Sequence, residues 1–321
     1  MLRTFKASAV AALCCTVVGV GIVGAPAASA EEWDPFAKTD AESWDPFTGH
    51  RADPFVGTKK IRVRGKKVNV SCSGRQGRGK PVVVLLHGAG DGVEKLAALQ
   101  KTLSGRNRVC SYDRLGAGAS DQPDGPQSFT STGKILSGVL DRIAGDSPVV
   151  LAGHSLGGLI AARYAPEHRD RVKGLVLMDA TPATMTADIK KAIPASAEGP
   201  AAELRAQNLA IFAGQNPEKL VIPDGRVRSA GRIPVEVLKH GKQYLAAIPT
   251  YGPKLERAWS AGQRAWLKLS TRSRLTTATK SEHYIYVDQP EVAVKAIQRV
   301  AAQAATAPPT SASRCRSPPS A

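Results

Sequence analysis

Short apolar runs alternate with amphipathic stretches along most of the chain after residue 60. Continuous apolar runs such as Pro81–Leu86 are typical of strands that are buried on both faces of a sheet. Ser131–Ile143 repeats its apolar residues at helical spacing, which predicts an amphipathic helix. Strands and helices that alternate in this way predict an α/β fold with a mostly parallel sheet covered by helices on both faces.

The same pattern places the other elements. A hairpin with its turn at Gly65 is predicted over Lys60–Val70. Further strands and helices are predicted in the order Asn107–Tyr112 (strand), Pro148–Ala152 (strand), Leu156–Ala165 (helix), Lys173–Met178 (strand), Ile233–Leu238 (strand), Lys254–Leu269 (helix), Leu275–Thr279 (strand) and Pro290–Ala304 (helix). Residues 184–230 are predicted to be irregular and helical.

The first thirty residues have the pattern of an export signal. Arg3 and Lys6 precede an uncharged stretch at residues 7–24, and an Ala-Ser-Ala sequence ends at Ala30. We therefore predict a secretory signal peptide that is cleaved after Ala30. An uncleaved membrane anchor is the alternative, because the apolar stretch approaches the length of a span.

Two further segments fall outside the α/β pattern. Residues 31–57 contain Asp-Pro-Phe three times, and the prolines exclude a continuous helix. We predict an extended arm whose aromatic side chains pack on the domain surface; a ligand motif for another protein and a gate over a pocket are the alternatives. Residues 305–321 are a Pro- and Ser-rich tail predicted to be disordered, which leaves residues 58–304 as the main domain.

A G-x-S-x-G sequence at residues 153–157 carries the chemistry. The motif lies between an apolar strand and an apolar, Ala-rich helix. A strand–turn–helix of this kind holds a serine at the tip of a tight elbow, which points to Ser155 as a nucleophile. The amides at the start of the following helix face any negative charge that develops there. A dinucleotide-binding turn is the alternative, but the G-x-G-x-x-G form is missing.

A serine hydroxyl needs a base to accept its proton. His283 follows the last strand and precedes an amphipathic helix, so it is predicted at the carboxyl edge of the sheet beside Ser155. His240 is the other candidate and is expected to be an ordinary surface residue. Asp179 ends the strand LVLM at the carboxyl edge of the sheet, one strand over from Ser155. We predict that it orients the base.

Other assignments of the acid remain open. A turn-forming cap is the alternative role for Asp179. Glu236, Asp224 and Glu256 are weaker candidates for the orienting acid.

The oxyanion that forms when the serine attacks a carbonyl needs two backbone donors. We predict that these are the amides of Leu156 and Ala89, and Gly88 is the second choice in place of Ala89.

Five motifs in this order resemble the α/β-hydrolase family over about residues 60–304. They are HGAG at 87–90, YDRLGAGAS at 112–120, GHSLGG at 153–158, LVLMDATP at 175–182 and SEHYIYVDQPEVAVKAI at 281–297. The resemblance implies an eight-stranded sheet in which the second strand neighbours the fourth, so that a disulfide between Cys72 and Cys110 is sensible. It also implies that residues 184–230 form a cap after strand six. The chain departs from the family pattern by lacking an acid directly after strand seven.

The resemblance and the serine together predict a secreted hydrolase that cleaves carboxylic esters through an acyl-enzyme. The expected substrate is a small-molecule or lipid-like ester. An aminopeptidase-like amidase of the same fold and a non-catalytic binding protein are the alternatives. No cofactor is expected, and no metal, since no cluster of His, Cys and acidic residues has ligand spacing.

The charge of the chain is uneven. The formal charge is +17, yet residues 31–57 carry −5, which suggests that the acidic arm docks on the basic body. A nucleic-acid partner is not predicted, because aromatic and basic residues are not interleaved on one element. Attraction to anionic cell-surface polymers fits better, with a simply solvated basic face as the alternative. Cys315 is left as the odd cysteine.

Overall fold

The computed structural model describes residues 55–306. The predicted signal peptide, the arm as far as residue 54, and the tail from residue 307, with Cys315, lie outside the described residues. Among residues 55–306 there is no helix that combines the length and the apolar character needed to cross a bilayer.

Eight strands form one sheet. They are β1 (Gly57–Val63), β2 (Lys66–Ser73), β3 (Val82–Leu86), β4 (Val109–Tyr112), β5 (Val149–His154), β6 (Val172–Met178), β7 (Pro234–His240) and β8 (Arg272–Ala278). Their order across the sheet is β1-β2-β4-β3-β5-β6-β7-β8. The first two pairings are antiparallel, and all pairings from β4 to β8 are parallel. The predicted mostly parallel, eight-stranded sheet is therefore confirmed.

Helices cover both faces of the sheet. They are α1 (Val93–Ser104), α2 (Phe129–Ala144), α3 (Leu156–Tyr164), α4 (Met185–Ala192), α5 (Gly199–Phe212), α6 (Gly252–Ala265), α7 (Ile285–Asp288) and α8 (Pro290–Ala305). Apolar side chains of α2 and α3 pack in one core cluster, and those of α1 and α8 pack in another. Because the central strands are buried on both faces, they read as the continuous apolar runs noted in the sequence.

The structure differs from the predicted elements in several places, including the short helix α7, which was not predicted. Helix α1 was not predicted, because only Leu96, Leu99 and Leu103 mark its apolar face. The helix predicted up to Leu269 ends as an α-helix at Ala265 and continues as a short 3-10 turn. Strand β8 begins at Arg272, three residues earlier than expected, because its alternating exposed residues hide it in a search for apolar runs.

Cys72 and Cys110 form a disulfide that links β2 to β4. The two residues are paired in the antiparallel register, with 4.1 Å between their Cα atoms. Both are fully buried in the core. The bond therefore fastens the antiparallel hairpin at the edge to the parallel part of the sheet.

The segment between β6 and β7 crosses over the carboxyl edge of the sheet and contains α4 and α5. Its later part is tied to the loop before α2, since the Gln127 amide donates to Lys219 O and the Val221 amide donates to Gln127 O. Asp224 accepts hydrogen bonds from the Thr186 and Ala187 amides at the start of α4. We call residues 184–230 the cap.

Candidate active site

Ser155 lies in a tight turn between β5 and α3. Its φ is +50°, in the left-handed region that a non-glycine residue rarely adopts. The turn needs glycine beside it, since a Cβ on Gly157 would lie 2.3 Å from Leu86 O. The Ser155 amide donates to Met178 O over 3.1 Å. The backbone thus holds the serine in one strained position above the end of the strand.

His283 and Asp179 are joined by a short hydrogen bond, although 104 residues separate them. His283 lies in the loop between β8 and α7, and its Nδ1 donates to Asp179 Oδ2 over 2.8 Å. Because Nδ1 carries the proton, the neutral ring has a bare Nε2 that can accept one. Asp179 follows β6 directly and has a φ of +46°.

The Ser155 hydroxyl is hydrogen bonded to Thr181 Oγ1 over 3.4 Å. Within residues 55–306 no hydrogen bond joins this hydroxyl to His283. Such bonds are often long in proteins without substrate and tighten when substrate binds. Use of the serine as a nucleophile therefore requires its hydroxyl to exchange Thr181 for His283 as its partner.

The Asp179 carboxylate is completely buried and surrounded by donors. Besides His283, it accepts hydrogen bonds from the Trp259 indole (3.0 Å), from the His240 ring (2.8 Å) and from the His240 amide (3.2 Å). Burial alone would raise the pKa of Asp179, but the hydrogen bonds from His240 and His283 bring it well below its usual value. The acid is thus ionised at neutral pH.

The expectation that His240 is a surface residue is wrong. The residue ends β7 and is only 3% exposed. Its Nδ1 faces Asp179, and its Nε2 lies 2.6 Å from Glu256 Oε1. The apolar run that precedes it was the available signal, since a histidine that ends a buried strand is itself close to the core.

The structure gives other partners to the weaker acid candidates. Glu256 faces His240, and Glu236 accepts a hydrogen bond from Arg299 over 2.7 Å. Asp224 holds the start of α4, as described above. Among the described contacts, Asp179 is the carboxylate that His283 meets.

A second buried histidine supports the loop that carries His283. His154 Nε2 donates to the backbone oxygen of His283 over 3.2 Å, and the two rings lie 4.5 Å apart. Burial lowers the pKa of His154 well below its usual value. The ring is therefore neutral and serves as a hydrogen-bond donor and a packing surface.

The turn after β3 is held by Arg114. The guanidinium donates to His87 O over 2.7 Å and to Gly88 O over 2.9 Å. These two carbonyls precede Ala89, so Arg114 fixes the turn that carries the Ala89 amide. Ala89 and Leu156 line one cavity of about 130 Å³, so the two residues that carry the proposed oxyanion donors border the same space.

The cap forms one side of this cavity and contacts Arg114. Ile211, Asn216, Pro217, Glu218 and Ile222 form its cap side. Glu218 receives two hydrogen bonds from Arg114, at 2.6 and 2.7 Å, and both residues are buried. This pair could not be predicted from the sequence, because no local pattern relates two residues that are 104 positions apart.

A family model described as the alpha/beta hydrolase fold matches residues 81–233. The strand order, the serine elbow and the helices on both faces agree with that match. The chain has the α/β-hydrolase fold, and residues 81–233 match the model of that family.

Individual relatives show how far the likeness extends. RutD of Azorhizobium caulinodans, which is named as a carbamate hydrolase, is 31% identical over 42% of this chain and 52% of its own length. The (lyso)-N-acylphosphatidylethanolamine lipase of Bos taurus is 32% identical over 32% of this chain and 31% of its own length. The chain thus spans from about a third to about half of the length of these relatives.

A solved structure extends the likeness in fold. Carboxylesterase CesB from Bacillus subtilis superposes with a TM-score of 0.53 at 16% identity, covering 77% of this chain and 92% of its own. At this level of identity the likeness concerns the fold alone.

Proposed function

We propose that the chain is a secreted serine hydrolase that cleaves carboxylic esters through an acyl-enzyme on Ser155. The observation that carries the proposal is the 2.8 Å hydrogen bond between His283 Nδ1 and Asp179 Oδ2 at the sheet edge where the Ser155 elbow lies. This bond orders the imidazole and leaves Nε2 available as a base.

The reaction follows from these positions. Ser155 Oγ forms a bond to the ester carbonyl carbon while its proton passes to His283 Nε2. The tetrahedral intermediate collapses, the bond to the alcohol oxygen breaks, and His283 returns the proton to that alcohol. Water then attacks the acyl-enzyme by the same route and releases the carboxylic acid. Asp179 orients the ring and stabilises the imidazolium without taking the proton.

The cavity between Ala89 and Leu156 supports the role of these two amides. Negative charge develops on the carbonyl oxygen during both attacks, and preorganised amides stabilise it without reorganisation. The helix that begins at Leu156 adds the positive end of its dipole. Arg114 reinforces the arrangement by fixing the turn before Ala89.

Ester substrates and short acyl groups are each supported by one observation. Relatives of this chain include a named lipase and a named carbamate hydrolase, and the substrate of a lipase is an ester. The cavity, at about 130 Å³, is below the ~300–1,000 Å³ of most drug-sized ligand sites, so we propose short acyl groups. The export signal pattern at residues 1–30 supports secretion.

A fluorophosphonate probe tests the serine chemistry. We expect the folded protein to be labelled, Ser155→Ala to be unlabelled, and Ser229→Ala, an exposed serine on the cap, to be labelled like the unmodified protein. Heat-denatured protein is the second control, because labelling must depend on the fold. An unlabelled native protein would contradict the proposal and favour a binding protein.

A matched substrate panel divides ester from amide cleavage. We expect p-nitrophenyl acetate and butyrate to be hydrolysed and aminoacyl anilides to be cleaved far more slowly. Rapid cleavage of the anilides would instead identify the amidase of the same fold.

A further inference from the structure

We propose that His240 is a positioning residue that works as an imidazolium, held between Asp179 and Glu256, and that it keeps the acid ionised and aimed at His283. The inference rests on the proposed role of Asp179 as the acid of the triad. It adds two residues, His240 and Glu256, that touch neither the serine nor the oxyanion donors.

Three separate elements bring the cluster together. Asp179 follows β6, His240 ends β7, and Glu256 projects from α6. Asp179, His240 and Glu256 are 0%, 3% and 7% exposed, so all three residues are buried. Buried ionisable groups persist only when their partners compensate the lost hydration, and the contacts show how this is done.

Proton counting defines the state of the His240 ring. Nδ1 lies 3.0 and 2.8 Å from the two oxygens of Asp179, which accept three other N–H groups and are ionised, so Nδ1 carries a proton. Nε2 lies 2.6 Å from Glu256 Oε1. A bare nitrogen facing a bare carboxylate would oppose two lone pairs, so a proton lies between them. Imidazole is more basic than a carboxyl group, which places that proton on the ring.

The other groups around His240 leave this assignment intact. Tyr244 packs edge-on at 4.8 Å between the ring centroids, and burial raises the pKa of its phenol, so it stays neutral. Trp259 presents an uncharged indole 6.4 Å away. His283, on the last loop, shares Asp179 Oδ2 with His240. The charges that face the ring are therefore the two carboxylates, of Asp179 and Glu256.

Electrostatics agrees with the geometry. Burial alone would lower the pKa of His240, but the hydrogen bonds and charges of Asp179 and Glu256 raise it to about 9. The imidazolium and Glu256 together are neutral, with the positive end directed at Asp179. Such a pair holds the acid ionised without adding net charge to the site.

This arrangement affects the base through the shared oxygen. A cation beside Asp179 opposes protonation of His283, whereas the Glu256 carboxylate favours it. Removing either charge must therefore move the acidic limb of kcat/KM, and in opposite directions. A role in packing alone would lower stability or rate without moving that limb.

The test is the pH profile of ester hydrolysis by two variants. His240→Asn keeps an N–H donor near Asp179 but removes the cation, and we expect its acidic limb to move up by about one pH unit. Glu256→Gln keeps a hydrogen-bond acceptor but removes the anion, and we expect its limb to move down. Tyr244→Phe, which removes only an uncharged hydroxyl, serves as the matched control with an unmoved limb.

The outcomes separate this inference from the proposed function. Fluorophosphonate labelling of Ser155 is recorded for every variant, and absence of labelling in the unmodified protein counts against the hydrolase itself. Normal labelling with unmoved limbs in both folded variants overturns only the role of His240. If neither variant folds, nitrogen NMR of the unmodified protein decides: the inference requires both His240 ring nitrogens to be protonated at pH 7.5, and a bare Nε2 overturns it.

Discussion

Arg114 and Glu218 form a buried, bidentate ion pair that joins the cap to the turn after β3. The same guanidinium donates to the carbonyls of His87 and Gly88. One cation thus links the cap to the turn that carries a proposed oxyanion donor, beside the cavity lined by Ala89 and Leu156. Removal of one partner from a buried pair leaves the other charge uncompensated, which costs about 3–5 kcal/mol.

Loss of the cap carboxylate tests this link. In Glu218→Gln the buried Arg114 keeps its charge but loses its counterion. We expect the free energy of unfolding to fall by about 3–5 kcal/mol, measured by chemical denaturation. We also expect kcat to fall more than KM rises, because the turn that carries Ala89 is less firmly held.

A double variant separates the two effects. Arg114→Met with Glu218→Leu removes both charges and fills the space with apolar atoms, so stability should recover relative to Glu218→Gln. The hydrolysis rate should stay low, since the carbonyls of the turn have lost their donor. Full recovery of the rate would show that Arg114 does not position the turn.

Local patterns in the sequence account for the elbow and for much of the sheet. The run before Ser155 and the glycines around it identify a strand–turn–helix, and the order of the motifs directs attention to His283 and Asp179. The contacts of His240, Glu256 and Arg114 could not be predicted, because their partners lie on other elements of the fold. Helix α1 could not be predicted for a different reason. Few apolar residues form its buried face, so its helical periodicity in the sequence is weak.

The elbow depends on glycine at residue 157. A Cβ there would meet two backbone oxygens, at 2.3 Å from Leu86 and 2.5 Å from His87, neither of which can move freely. We expect Gly157→Ala to lower the free energy of unfolding by more than about 3 kcal/mol and to abolish hydrolysis. Gly125→Ala is the matched control, because open space surrounds that position. Equal stability of the two variants would show that the close contact is not essential.

The raised pKa of His240 predicts how stability depends on pH. Its pKa rises from 6.5 to about 9 on folding, so the folded protein binds this proton more tightly than the unfolded chain. The contribution is complete below about pH 6.5 and is lost as the pH rises through 9, by roughly 3 kcal/mol at most. Denaturation across this range should show the decline, and His240→Asn should lack it. A parallel decline in the variant would assign the effect to other groups.

The small cavity predicts a preference for short acyl chains. We expect kcat/KM to fall from p-nitrophenyl butyrate to p-nitrophenyl octanoate, because the cavity of about 130 Å³ leaves little room beyond Leu156. Ile211→Ala opens the cap side and should move the preference toward longer chains. An unchanged preference in that variant would place the acyl group elsewhere.

The most direct test of the account is to locate the acyl group during turnover. The protein is mixed with p-nitrophenyl acetate, quenched in acid within the first turnovers and digested, and its peptides are analysed by mass spectrometry. The account predicts one acetyl group on the peptide that contains Ser155, with none on that peptide in Ser155→Ala. Hydrolysis that persists in Ser155→Ala, or acetyl groups carried on another residue in the first turnover, would contradict it.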